Sequence, residues 1–160
     1  MKPIIINNIE FAKKSQEISG EIPLARFERL AEIISKTRKN VTNVRYALVG
    51  STKKMHLPSM GLKIEATLPV LCQRCLEEMQ IDLSLKFDYV ISATAPSEFE
   101  ESDEIDWLEP SQEMDLNELI EDELLIAIPI APVHETNCAK ASMQSGEKPN
   151  PFAVLKERFK

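Results

Sequence analysis

The sequence predicts an α+β fold: an antiparallel β-meander packed with two amphipathic helices, followed by a tethered short C-terminal helix. Three observations carry this reading. Two long runs alternate apolar and polar residues with a period of two, two others repeat apolar residues at helical spacing, and a proline-flanked apolar segment stands apart near the last residues. A chain of 160 residues, 43% of them hydrophobic, can bury one good core. Residues 1–138 are therefore expected to form a single domain, and 139–160 a flexible tether with a docking helix.

No element is assigned before Pro23, which suits a first helical turn. Leu24, Phe27, Leu30, Ala31 and Ile34 then recur at helical spacing, predicting a helix of about three turns that the polar Ser35–Asn40 stretch ends. Val44, Tyr46 and Leu48 alternate with Asn43, Arg45 and Ala47 as in a strand, and Gly50 with the following STKK reads as a turn. Leu62, Ile64, Ala66, Leu68 and Val70 mark one face of the next strand. Ile81, Leu83, Leu85, Phe87, Tyr89 and Ile91 mark one face of another. Two half-buried strands so joined should pair antiparallel, which makes Cys72–Gln80 the tip of a hairpin. Pro69 near that tip implies an edge or a bulge, because proline cannot donate a ladder hydrogen bond.

Between Glu98 and Glu123 lie thirteen acidic residues and no Lys or Arg. The front part, SEFEESDEIDWLEPSQ, is charged and aperiodic and is expected to be a mobile loop. Asp115 can cap a helix carrying Glu118 in a capping-box-like position, with Leu116, Leu119, Ile120, Leu124 and Ala127 as its apolar stripe and Pro129 as its stop. On this reading Glu118, Glu121, Asp122 and Glu123 form a solvated face. Truncating Leu119 should then be costly and truncating Glu121 should not. After Cys138 a stretch without apolar periodicity reads as a tether. Asn150 and Pro151 start a short helix bearing Phe152, Leu155 and Phe159, too short to stand alone in water.

The net charge is −7, which argues against a generic nucleic-acid binder. Its distribution is uneven: residues 1–80 carry 13 Lys/Arg against 8 Asp/Glu, and residues 81–160 carry 6 against 18. The split suits RNA on one surface and a basic protein on another, or simply two differently solvated faces. Arg26, Arg29, Lys36, Arg38 and Lys39 are the candidate contacts to RNA or a partner, restricted to phosphates because aromatic residues for stacking are scarce nearby. The first residues turn polar before a signal peptide or a membrane span could form, so a soluble cytoplasmic protein is expected, with no membrane and no small-molecule substrate.

Three cysteines cannot close a complete disulfide framework and suit a reducing compartment. Cys72 and Cys75 form a C-x-x-C at the expected hairpin tip, and His134 and Cys138 form an H-x-x-x-C beyond the acidic helix. Thiolates and imidazole are the donors zinc prefers, and four of them would close a structural site, tying the hairpin to the segment that leaves the helix. The plainer alternative is small buried thiols and a surface histidine. A redox C-x-x-C would need a strand-to-helix setting that a hairpin does not offer. Hydrolytic chemistry has no nucleophile elbow or oxyanion loop to work with.

These residues carry a resemblance. The CQRC of Cys72–Cys75, the run MDLNELIEDELLIAIPIAPVH from Met114 to His134, Cys138, and KPNPFAVL from Lys148 to Leu155 resemble the YceD-type large ribosomal RNA subunit accumulation proteins. The resemblance spans residues 60–160 by motif; the first 60 residues carry none. It implies a non-catalytic role in synthesis, processing or stability of large-subunit ribosomal RNA. The partner would be a precursor of that RNA or a ribosomal protein. The alternatives are a zinc-dependent RNA-processing hydrolase and an acidic, chaperone-like module for a basic ribosomal protein.

Overall fold

The computed structural model describes residues 3–34, 43–52, 56–94 and 105–138. The elements run β1 (Ile5–Ile6), α1 (Asn8–Lys13), β2 (Glu17–Pro23), a 3₁₀ turn (Leu24–Arg26), α2 (Glu28–Ile33), β3 (Asn43–Ser51), β4 (Ser59–Leu71), β5 (Glu78–Ile91), β6 (Ile105–Leu108), β7 (Met114–Asp115) and α3 (Leu116–Ala127). The fold is α+β. Strands β2-β3-β4-β5-β6 form one sheet, and β1 pairs with β7 in a second, two-stranded one.

The alternation seen in the sequence sets the inner face. Val44, Tyr46 and Leu48 on β3 and Leu62, Ile64, Ala66 and Leu68 on β4 are buried in one cluster with Leu24, Phe27 and Leu30 and with Leu116, Ile120 and Leu124. The β4–β5 hairpin keeps continuous antiparallel register from Ser59↔Val90 to Leu71↔Glu78. Pro69 lies beyond Glu65, where the pairing of β4 with β3 ends. Its missing donor therefore faces a local edge, as expected of a strand proline.

Four expectations need correction. The helix placed from Pro23 is broken: Pro23 is extended (φ −58°, ψ 133°) and ends β2 opposite Asn43, and the chain turns through the 3₁₀ segment before the six-residue α2. The spacing of Leu24, Phe27 and Leu30 is three throughout, which a 3₁₀ turn followed by an α-turn satisfies as well as a continuous helix does. Second, the acidic stretch is not all loop, because Ile105–Leu108 adds β6 to the sheet. Third, β6 lies parallel to β5, Asp88↔Ile105 through Ile91↔Leu108, so the sheet is not a pure meander. Fourth, Gly50 and Ser51 continue β3 instead of turning. Gly50 is glycine because α1 crosses it closely: a Cβ there would collide with the Phe11 carbonyl oxygen and lie 2.9 Å from Ala12 Cα.

The N-terminal elements β1, α1 and β2 were not anticipated. Helix α1 is capped by Asn7, whose side chain accepts from Glu10 N at 3.0 Å. The buried Asn8 that follows donates to the Glu109 carbonyl (2.9 Å) and accepts from Ser111 N (2.9 Å). These bonds satisfy a buried amide and fasten the N-terminal segment to the chain between β6 and β7. The proposed C-terminal tether and helix, and the turn residues 53–55, lie outside the described residues.

Helix α3 begins as read, with the Asp115 carboxylate accepting from Asn117 N at 2.8 Å, and ends before Pro129. Its faces differ from expectation. Leu119 is only half-buried, while Glu121 is 8% exposed. Glu121 Oε1 accepts from Leu30 N at 3.0 Å, and its Oε2 accepts from Arg29 Nε at 3.2 Å. The cause lies on the other helix. Phe27, the N-cap of α2, has no side-chain acceptor, so one of the unsatisfied first-turn N–H groups takes a carboxylate from α3. Glu123 also turns inward, accepting from Tyr89 Oη at 2.6 Å, and burial raises its carboxyl above the ordinary range.

Candidate metal centre

The hairpin tip is the turn Cys72–Glu77. Cys72 N donates to the Glu77 carbonyl and Leu76 N to the Cys72 carbonyl, both at 2.9 Å. Leu76 closes the turn in the left-handed region at φ 59°, an uncommon conformation for leucine. This curls the backbone around one sulfur, with Arg74 N donating to Cys72 Sγ at 3.4 Å. The second half comes from the segment after α3. Once Pro129 has stopped the helix, the chain runs back to the tip, and Gln73 N donates to the Pro132 carbonyl at 2.8 Å.

Arg74 completes the arrangement. Its Nη2 donates to the carbonyls of His134 (2.8 Å) and Thr136 (2.5 Å), and its Nε donates to Cys138 Sγ at 3.1 Å. One guanidinium thus fixes the path of both residues that face the C-x-x-C. Sequence reasoning placed Arg74 between the cysteines without giving it a role, because a surface arginine has no pattern of its own.

The four sequence-selected residues converge. One ligand atom from each of Cys72, Cys75, His134 and Cys138 lies within 4.8 Å of all the others. Cys72 Sγ and Cys138 Sγ are 3.6 Å apart, and Cys75 Sγ and His134 Nδ1 are 3.5 Å apart. The edge of a tetrahedron of sulfurs around zinc is about 3.8 Å, given Zn–S near ~2.3 Å. A disulfide needs about 2.05 Å, so these are free cysteines held at metal-ligand spacing.

The electrostatics suit a cation. Burial pushes the Cys72 thiol up, but the N–H groups of Cys75, Arg74 and His134 together with the Cys138 thiol outweigh it and hold the group at about 5. Burial likewise opposes ionisation of Cys138, and bonds from Arg74 and His134 bring it below the ordinary thiol range. For Cys75, the Glu77 N–H favours the thiolate, but burial and the two neighbouring sulfurs raise it. The Cys138 and Cys72 sulfurs raise His134. Donors already aimed at sulfur are what a thiolate metal ligand requires.

Arg74→Ala should weaken metal binding about 10–100-fold, by freeing the second pair of ligands and removing a cation beside Cys138. Arg74→Lys should restore little, because one ammonium cannot reproduce the fork. A competition titration with a chromophoric chelator measures both.

The other candidates are less concentrated. Arg29 is tied to Glu121 and, at 2.6 Å, to Asp122. Arg26 is exposed on the 3₁₀ turn. Lys36, Arg38 and Lys39 lie outside the described residues.

Fold and cluster together define an α+β protein whose hairpin tip and helix exit meet at a Cys₃His group able to hold a metal. A family model described as Large ribosomal RNA subunit accumulation protein YceD matches residues 60–157, more than half of the chain, and the chain belongs to that family. It is 27% identical over 169 residues to the Large ribosomal RNA subunit accumulation protein YceD of Haemophilus influenzae (strain ATCC 51907 / DSM 11121 / KW20 / Rd), covering 96% of this chain and 93% of that relative. No solved structure matches.

Proposed function

We propose that this protein supports accumulation of large-subunit ribosomal RNA in the cytoplasm, without making or breaking covalent bonds, and that Cys72, Cys75, His134 and Cys138 hold one structural zinc. The observation that carries the first part is similarity along 96% of the chain to a relative named for that role. The donor set and its tetrahedral spacing support the second. Zinc here crosslinks the hairpin to the helix exit and so fixes a surface for its partner, a precursor of large-subunit RNA or a ribosomal protein. A hydrolytic zinc keeps a position for water, whereas these four donors fill a tetrahedron. The acidic-module reading loses ground for a different reason, since Glu121 and Glu123 are directed into the protein. No helix among the described residues is long and apolar enough to cross a membrane.

Deleting the gene should lower large-subunit relative to small-subunit ribosomal RNA. An unchanged ratio in both slow and fast growth would remove the proposal. RNA crosslinked to the protein in cells, when sequenced, should be enriched in large-subunit precursor; enrichment of ribosomal proteins instead would assign the partner to them.

A further inference from the structure

Strand β5 is the longest in the sheet, yet β6 pairs with it only from Asp88 to Ile91. From Glu78 to Phe87 its outer edge has no strand beside it among the described residues. The inner-facing side chains there, Met79, Ile81 and Leu83, are only half-buried, although their neighbours across the hairpin, Leu68 and Val70, are fully covered. Between this row and the segment after α3 runs a groove of about 1000 Å³, walled by Pro129 and Val133 and reaching Glu135 and Thr136. A half-open apolar row along a free strand edge is a docking site or a liability, and proteins normally cover it.

We propose that the groove is filled by the chain's own segment Pro151–Lys160, lying as a short helix with Phe152, Leu155 and Phe159 against Met79, Ile81, Leu83 and Val133. Three observations select this occupant. The first is position: Glu135 and Thr136 in the groove wall come just before Cys138, so the twelve residues from Ala139 to Asn150 begin beside it. Twelve residues behaving as a flexible linker would span about 20 Å, enough to reach the groove at an effective concentration of order 1 mM. The second is charge. Glu135 lies in the groove wall, Glu78 and Asp82 stand along its strand edge with Asp82 tied to Thr67 at 2.6 Å, and the segment brings Lys156, Arg158 and Lys160 against one Glu157. The third is pattern, since apolar residues at spacings of three and four match the helix-in-groove mode, and a helix this short needs a surface to form on. Docking covers the open edge of β5 from Met79 to Leu83 and the wall that carries His134. It does not depend on the ribosomal role.

The test uses the full chain with a photoreactive benzoyl-phenylalanine at Phe152, crosslinked while dilute and mapped by mass spectrometry. Crosslinks within one chain to residues 79–83 or 129–136 are expected. Crosslinks at the mass of two chains would assign the groove to a second copy, and crosslinks elsewhere or none would remove the proposal. Hydrogen exchange checks it without the bulky probe. With an intrinsic Kd of order 0.1 mM the docked form prevails about tenfold, so Leu155→Asp should speed exchange of the Glu78–Leu83 edge amides by up to about that factor. Unchanged exchange there overturns the docking.

Discussion

Cys75→Ser should abolish stoichiometric zinc and lower thermal stability with it, by about 10 °C in Tm when free zinc stands about a thousandfold above its Kd. The reasoning is geometric. Cys72 and Cys75 belong to one tight turn, but His134 and Cys138 reach it only by the return of the chain after α3, so an ion held by all four would crosslink distant segments. Losing it should loosen both at once, visible as parallel increases in hydrogen exchange at the tip and in residues 130–138. Acid should act in the same direction. Without metal, the stability contributed by Cys72 is fully present above its ordinary value near 9 and is lost as pH falls toward about 5. With metal, protons compete for the same sulfurs and release the ion. Elemental analysis of protein purified without chelators or metal-binding tags decides the matter: a fully folded, metal-free sample whose melting does not respond to added zinc ends the zinc assignment.

Ile120→Ala should destabilise the protein by about 2–5 kcal/mol, because the side chain is completely buried in the core cluster and its removal leaves a cavity there. Leu119→Ala, at a half-buried position, should cost clearly less. Glu121→Ala should cost about 1–3 kcal/mol, since it strands the buried Leu30 N–H and removes the bond to Arg29. Glu118→Ala, on the exposed side of the same helix, should lie within about 0.5 kcal/mol of the parent. Denaturant titrations of the four variants test the assignment of faces. If Glu121→Ala proved as mild as Glu118→Ala, the carboxylate would not be capping α2.

The β4–β5 hairpin and the start and stop of α3 were legible in the sequence because each rests on local rules: alternation, an aspartate cap, a proline. The metal cluster was legible for a chemical reason, because cysteine and histidine at short spacings have few common alternative roles. What the sequence could not disclose came from pairing across the fold. Ile105–Leu108 reads as loop because four residues in an acidic stretch show no useful period, and only the free edge of β5 makes them a strand. Glu121 falls at the flank of an amphipathic stripe, where helical periodicity assigns it to water; the uncapped start of α2, 91 positions away, draws it inward. The sequence by itself therefore determined strands β3, β4 and β5, the ends of α3 and the four residues of the candidate metal cluster. The tertiary structure alone decided which carboxylates are buried, where the sheet is left open, and that Arg74 holds the two halves of the site together, because these follow from unsatisfied donors and edges that exist only once distant segments meet.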